Sequence, residues 1–418
     1  MMEYFESLKK YNPWDGKIGK TGFKRSCYLD EIEKLFGTGL IKVLVGQRRT
    51  GKSYILRQII QLLIERGINP INICYINMEM VEFAVINDFN QLNEIVELYR
   101  KTLNPAGRFY LFIDEIQMVS GWEKLVNSYS QNTVDEIEVF ITGSNSTLLS
   151  GELATLLSGR YISFTIFPFS FQEFTEFYSI SRNRESMIRY LKTGGLPELL
   201  HIESEEMRLH YIQSLRDTII LRDIVQRYHI KDAWLLENLF GYLVSQTGRL
   251  FSINNIVNYF NSNKIRASHD TISSYLNYLK QTYLIHEIPR YNIKGKEILA
   301  GVRKFYLNDL AYRNYAKLQS ETGFSQNLEN FVFMHLLTKG YSIFVGTLNE
   351  KEIDFVAERG NERLYIQVAY LLSDENTIAR EFGNLELIKD HYPKLVISMD
   401  DHYLGKTNGI KQLPVWEL

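Results

Sequence analysis

Short apolar runs, each ending in a polar cluster, recur along the first 150 residues. Ile41-Lys42-Val43-Leu44-Val45 is the first, and residues 71–76, 109–113 and 138–142 repeat the pattern. Near-continuous apolar runs of this length read as strands covered on both faces. Between them apolar positions recur at helical spacing, over 54–63 up to Gly67 and over 87–103 up to Asn104-Pro105-Ala106-Gly107. Strand and helix in alternation predict a parallel sheet with right-handed crossovers. Ahead of this block lie a short helical run, a Gly/Lys-rich turn over 15–22 and a second helical run over 30–36.

The pattern changes after residue 200. Residues 200–232 are helical and charged, with Arg216, Arg222, Asp223 and Arg227 along them, which by default is a solvated or ion-paired face. Three helical runs follow, 234–246, 252–260 and 268–282, and then a hairpin pattern over 284–291 and 304–307. That order predicts a winged helix with Lys294-Gly295-Lys296 as the wing. A last block reads as helix 329–339, strands 343–345, 352–357 and 364–370, helix 378–390 and strand 394–398. The expected division is 1–200, 201–315 and 316–418.

The first apolar run leads straight into Gly46-Gln47-Arg48-Arg49-Thr50-Gly51-Lys52-Ser53, and an amphipathic run follows. This is G-x-x-x-x-G-K-[ST] between a strand and a helix, the context in which that pattern cradles phosphate. Gly46 and Gly51 let the backbone turn its N–H groups inward, and the helix N-terminus adds about half a positive charge. Lys52 is expected to reach the β- and γ-phosphates and the Ser53 hydroxyl to hold Mg²⁺. Gly46, Gln47, Arg48, Arg49, Thr50, Gly51, Lys52, Ser53 and Tyr54 are the expected nucleotide contacts, with Tyr28 or Leu29 against the base.

In a parallel sheet, ligands sit at the carboxyl ends of the strands. The loop at Gly46, Asp114-Glu115 and Ser144-Asn145 all fall at such ends. Asp114 fits the acidic Mg²⁺ partner, Glu115 the base that activates water, and Asn145 a group that orients the water or senses the γ-phosphate. An ordinary helix N-cap is the alternative for Asp114-Glu115. Arg160 lies between a helical run and a strand. It reaches a γ-phosphate, in cis or from a neighbouring subunit, or else forms a structural ion pair.

Composition narrows the partners. Lys and Arg number 47 against 49 Asp and Glu, a net charge of −2, so no global basicity points to nucleic acid. A local basic face remains open. In the winged helix the third helix would offer Ser268, His269, Asp270 and Ser273 to a groove, with Lys264, Arg266, Lys294 and Lys296 on phosphates. Packing against protein is the alternative use. Two cysteines, Cys27 and Cys74, make no disulfide framework and suit a reducing compartment. The N-terminus is acidic and no run of about 18 apolar residues occurs, so a cytoplasmic protein without a membrane span is expected. Aromatic residues make up 13%, which large aromatic cores account for.

Glu329 on a helix, Asp354 in a strand and a following strand ending Gln367-Val368-Ala369 follow the layout of metal-dependent nucleases. Such sites end acid-x-Lys. Here an amide and an alanine stand instead, so a hard cation loses a charged ligand and the water its activator. A nuclease-like fold used for binding is expected.

With these features in order, the chain resembles bacterial and archaeal AAA-type ATPases whose C-terminal region is a restriction-endonuclease-like domain of unknown function, of DUF4143-like type. The resemblance rests on the loop with its Arg48-Arg49 pair, Phe112-Ile113-Asp114-Glu115-Ile116-Gln117, Thr142-Gly143-Ser144, and Ser158-Gly159-Arg160. It continues with residues 167–174, Gly194-Gly195-Leu196-Pro197-Glu198, Leu221-Arg222-Asp223 and Glu352-Ile353-Asp354-Phe355. It implies an α/β fold with an AAA-like parallel-sheet core, a winged helix and a nuclease-like cap. It also implies ATP and Mg²⁺ through Lys52, Ser53, Asp114 and Glu115. Two functions follow. One is ATP hydrolysis that moves the winged helix and cap. The other is a low-turnover, ATP-gated switch holding DNA or a protein partner.

Overall fold

The computed structural model describes residues 2–132, 134–149, 157, 159–316, 323–401 and 406–418. Ser158 and the helical run expected just before Arg160 fall largely outside them. Two compact units are present, Met1–Ile166 and Phe167–Leu418. The division expected at residue 200 lies inside the second. The reason is visible in its hydrogen bonds. Phe169 N donates to Gly195 O at 2.7 Å, and Gly195 N donates to Asp309 Oδ2 at 2.8 Å. Residues just after 166 are therefore tied to residues beyond 300.

In the first unit, β1 (Ile41–Val45), β2 (Ile73–Asn77), β3 (Phe109–Asp114), β4 (Ile137–Gly143) and β5 (Tyr161–Thr165) form one sheet in the order β2-β3-β4-β1-β5. Every pairing is parallel. All residues of β1, β3 and β4 are buried, as their unbroken apolar runs require. The strand expected at 71 begins at Ile73, because the Asn69 side chain accepts from Ile71 N and holds Pro70–Asn72 in a 3₁₀ turn. The helix Lys52–Glu65 packs Ile55, Leu56, Ile59 and Leu63 against Leu44, Phe112 and Phe140. Each such side chain contributes roughly 1.5–3 kcal/mol by leaving water. The Phe112 and Phe140 rings stack at 4.5 Å across β3 and β4. One ion pair, Lys42 with Glu138, is buried within the same sheet.

The second unit holds the three helices expected after residue 233, now Ala233–Ser245, Ile253–Ser262 and His269–Gln281. A π-helical stretch, Ile219–Gln226, precedes them. The hairpin β6 (Ile285–Asn292) and β7 (Glu297–Leu307) is antiparallel. It is not a free wing. Arg290, Tyr291 and Asn292 of β6 pair in parallel with Val345, Gly346 and Thr347 of β8 (Ser342–Leu348). The hairpin thus extends a sheet containing β9 (Lys351–Arg359), β10 (Glu362–Ala369), β11 (Lys394–Ser398), β12 (Lys406–Thr407) and β13 (Ile410–Pro414). The eight strands run in the order β12-β13-β11-β10-β9-β8-β6-β7. Among the described residues no helix is long and apolar enough to cross a membrane.

Candidate nucleotide site

The loop after β1 has the backbone its glycines permit. Gly46 has φ +147°, and a Cβ there would meet the Ile166 carbonyl oxygen at 2.3 Å. Gly51 has φ +97° and caps the helix Lys52–Glu65, so the free N–H groups of the first turn face the loop. The Lys52 ammonium lies back across the loop, donating to Gly46 O at 3.0 Å and Gln47 O at 3.1 Å. Thr50 Oγ1 donates to Gln47 O at 2.9 Å and stiffens the turn. Arg48 pairs with Glu79 at 2.7 Å, beyond the end of β2. Arg25, buried beneath the loop, donates to Thr50 O at 3.2 Å. Arg49 is exposed and sits at φ +70°.

The sheet order brings the other two strand ends to this loop. β4 lies between β1 and β3, so its end stands beside both. Thr142 at that end donates to the Asp114 carboxylate and accepts from Glu115 N at 2.9 Å. Tyr75 OH on β2 donates to Asp114 Oδ2 at 2.8 Å. The Ser53 hydroxyl lies near the same carboxylate and favours its ionised form. Glu115 has φ +56°, which turns its side chain back toward the loop. Its Oε1 is 3.6 Å from Lys52 Nζ, and its Oε2 accepts from Gln117 Nε2. Neither acid caps a helix. Asp114 is spent on Tyr75 and Thr142, and Glu115 makes no capping bond to the turn that follows.

Charge in the site is polarised. Burial and the neighbouring Glu115 raise the Asp114 carboxyl above its ordinary value, against the pull of Thr142, Ser53 and Tyr75. Burial also pushes Glu115 upward. There Lys52 and the Gln117 amide win, and the carboxyl is held low and ionised. A buried carboxylate with unneutralised charge, facing a hydroxyl, is the hard-oxygen set that Mg²⁺ takes. Asn145 is 1% exposed, and among the described residues its Nδ2 has no hydrogen-bond partner. An orphaned buried donor at this strand end fits an anionic ligand group. These residues therefore suit a nucleotide triphosphate with Mg²⁺.

Thr142 matters because it serves both acids. Thr142→Val keeps the shape and removes both hydrogen bonds, leaving a buried carboxylate and an N–H less satisfied. A loss of about 1–3 kcal/mol in unfolding free energy is expected, read from urea denaturation.

Some expected residues stand elsewhere. Arg160 precedes β5, whose Tyr161 pairs with Ile41, the first residue of β1. Arg160 O accepts from Ile41 N at 2.9 Å. The loop follows Val45, at the other end of the strands, about 13 Å away at ~3.3 Å per residue. The exposed Arg160 thus stands at the opposite end of the strands from the loop of its own chain. Leu29 is buried in the core with Ile32 and Ile55, so it is no base contact. Tyr28 is half-buried with the Arg25 guanidinium 4.6 Å from its ring. Tyr54 points outward, 41% exposed, with Arg57 stacked on it at 4.2 Å.

In the second unit, Ser268 is spent as a helix cap, accepting from Thr271 N at 3.1 Å. His269, Asp270, Lys264, Arg266, Lys294 and Lys296 are exposed, and Ser273 is half-buried. Gln367 Oε1 accepts from Asp354 N at 2.7 Å, joining two of the residues expected in the nuclease-like block. Sequence reading missed Arg25, Tyr75, Glu79, Gln117 and Thr142. Gln117 and Thr142 lie in the quoted motifs and carried a signal. The others carry none without the tertiary pairing.

The family model described as an AAA domain matches residues 38–175. The model for a domain of unknown function, DUF8612, matches residues 184–323, whereas the DUF4143-like type was expected in the C-terminal region. An uncharacterized protein of Haemophilus influenzae is 36% identical over 408 residues, spanning 95% of this chain and 98% of its own length. The uncharacterized protein MJ1544 of Methanocaldococcus jannaschii is 32% identical over 351 residues, 80% of this chain and 76% of its own. Among solved structures, the Walker-type ATPase PABY2304 of Pyrococcus abyssi aligns with a TM-score of 0.43 at 14% identity, covering 71% of this chain and 96% of that one. The Aeropyrum pernix Orc1 protein in complex with DNA aligns with a TM-score of 0.35 at 13% identity, covering 70% and 92%.

Proposed function

We propose a function from one premise: the chain belongs to the family of the Haemophilus influenzae and Methanocaldococcus jannaschii proteins, and its first unit carries an AAA domain of P-loop ATPase type. On this reading the protein binds ATP with Mg²⁺ at residues 46–53 and hydrolyses it. One observation carries it. Three strand ends meet, and they bring Lys52, the pair Asp114-Glu115, and Asn145 with its unpartnered Nδ2 to the same loop.

The roles follow from the geometry. The loop N–H groups and Lys52 bind the phosphates. Ser53 and Asp114 are the residues that would hold Mg²⁺, which when bound neutralises charge on the phosphate oxygens. Glu115, held ionised, accepts a proton from the attacking water. Asn145 Nδ2 orients that water or the terminal phosphate. Thr142 and Gln117 keep the two acids in place. Arg160 serves the site of a neighbouring copy, since its own loop is at the opposite end of the strands.

In the second unit we read the three helices and hairpin as a winged helix, and the sheet beyond them as a nuclease-like cap used for binding. Nucleotide state then sets their affinity for DNA, with Lys264, Arg266, Lys294 and Lys296 on phosphates. The low-turnover switch is the second reading. The Lys52 ammonium already donates to its own loop carbonyls, a contact that phosphate binding must replace.

Lys52→Ala is expected to weaken ATP binding by about tenfold or more, the loss of one charge-assisted contact, measured with a fluorescent ATP analogue. Equal affinity in both proteins would count against the site. For DNA, duplex affinity measured across salt concentrations with and without ATP is expected to fall with a logarithmic slope of about −3 to −4, for four phosphate contacts. Binding that ignores salt would remove DNA from the reading.

A further inference from the structure

Three carboxylates from two elements of the second unit converge on one ammonium. Glu329 comes from the helix Phe324–Thr338, Glu352 and Asp354 from β9, and Lys304 from β7. Lys304 Nζ is 2.8 Å from Glu329 Oε1, 2.8 Å from Glu352 Oε1 and 3.9 Å from Asp354 Oδ1. The lysine side chain is 3% exposed. The acids are further fixed by neighbours. Tyr306 OH donates to Glu329 Oε1 at 2.6 Å, and Val368 N donates to Asp354 Oδ2 at 2.8 Å. Gln367 Nε2 donates to Glu381 Oε2 at 2.9 Å, so the amide at this position binds protein on both its ends.

Convergent carboxylate oxygens around a compact positive charge are what a hard divalent cation takes. An ammonium is also a compact point charge, with three donors on a flexible stem. Buried, it is stable only when paired. Burial would lower the Lys304 pKa, but Glu329, Asp354 and Glu352 together raise it, so it stays charged. The acids remain in excess. Burial and Glu329 push Asp354 up to about 8, against the pull of Lys304. Lys304 belongs to the hairpin rather than to the strand ending at Ala369, where the nuclease-like layout would have a lysine. The pairing of β6 with β8 is what brings it to the acids.

We propose that Lys304 is the resident cation of this carboxylate site, its ammonium filling the position of a divalent metal, so that the intact protein takes up no metal here and loss of the ammonium opens a divalent-cation site. Among the described residues no group of three or more His, Cys, Asp or Glu could hold a metal ion. The proposal is independent of the ATP reading, since no residue is shared.

The test titrates the nucleotide-free full chain with MnCl₂ and reads free Mn²⁺ by electron paramagnetic resonance. Wild type, Lys304→Met and Lys304→Gln are compared, each also with Asp354→Asn. Both single Lys304 variants are expected to bind Mn²⁺ at least about tenfold more tightly than wild type. Adding Asp354→Asn should return them to the wild-type level. Thermal unfolding gives a second readout. Mn²⁺ should raise the melting temperature of the Lys304 variants and leave wild type unmoved. Two outcomes overturn the proposal. One is wild-type Mn²⁺ binding that Asp354→Asn removes. The other is Lys304 variants, folded or unfolded, that Mn²⁺ neither binds more tightly nor stabilises.

Discussion

Glu115→Gln is expected to reduce ATP turnover by about 10²–10⁴-fold while leaving ATP bound, the loss typical of removing a general base. Glu115 is 6% exposed and its carboxylate faces Lys52 at 3.6 Å. The amide keeps the size and can still accept from Gln117, so the loop and the positive φ should survive. What disappears is the proton acceptor. Because Lys52 and Gln117 hold the wild-type carboxyl below its ordinary value, the base stays ionised as pH falls toward 4.5. Wild-type turnover should therefore keep its base well into the acid range. Single-turnover phosphate release beside equilibrium ATP binding measures both quantities. Unchanged release with unchanged binding would show that the proton leaves by another route.

Glu138→Ala is expected to cost about 3–5 kcal/mol of stability, the usual penalty for stranding one member of a buried ion pair. Lys42 and Glu138 have side chains 0% and 2% exposed, on the adjacent strands β1 and β4. Burial lowers the Lys42 pKa, and Glu138 is the group that opposes this. Glu138 also accepts from Gly37 N at 3.1 Å, so its loss frees a second donor. Replacing both charges, as Lys42→Met with Glu138→Leu, should restore most of the loss. Urea unfolding of the two variants beside wild type reads this directly. A Glu138→Ala protein within about 1 kcal/mol of wild type would mean that Lys42 finds water or another partner. The pair also bears on the site, because the β1–β4 pairing sets the loop beside Ser144 and Asn145.

The first unit was legible because its signals are local. An apolar run buried on both faces, a glycine loop and an amphipathic helix each declare themselves within a dozen residues. The end of the sheet at which a residue lies is not local. The spacing left Arg160 open to its own loop, to a neighbouring subunit or to an ion pair, and only the register of β5 on β1 puts it at the far end of the strands. Tyr75 and Arg25 act on the site through pairing across strands and helices, which no spacing in the sequence encodes. The hairpin was readable as a hairpin, but its pairing with β8 was not, and with it went the arrival of Lys304 among the acids. The boundary expected near residue 200 falls inside the second compact unit for a similar reason. The turn at Gly194-Gly195 marks a local break, yet its backbone is held by Asp309, 114 positions away.

The central claim is that residues 46–53 bind ATP and that the acids beside them hydrolyse it. Phosphate release from ATP by the purified full chain with Mg²⁺, run beside Lys52→Ala, tests it most directly. The account predicts release by wild type that rises to saturation with ATP and falls to background in Lys52→Ala. Release at the same rate from both proteins, or none from wild type, would contradict it.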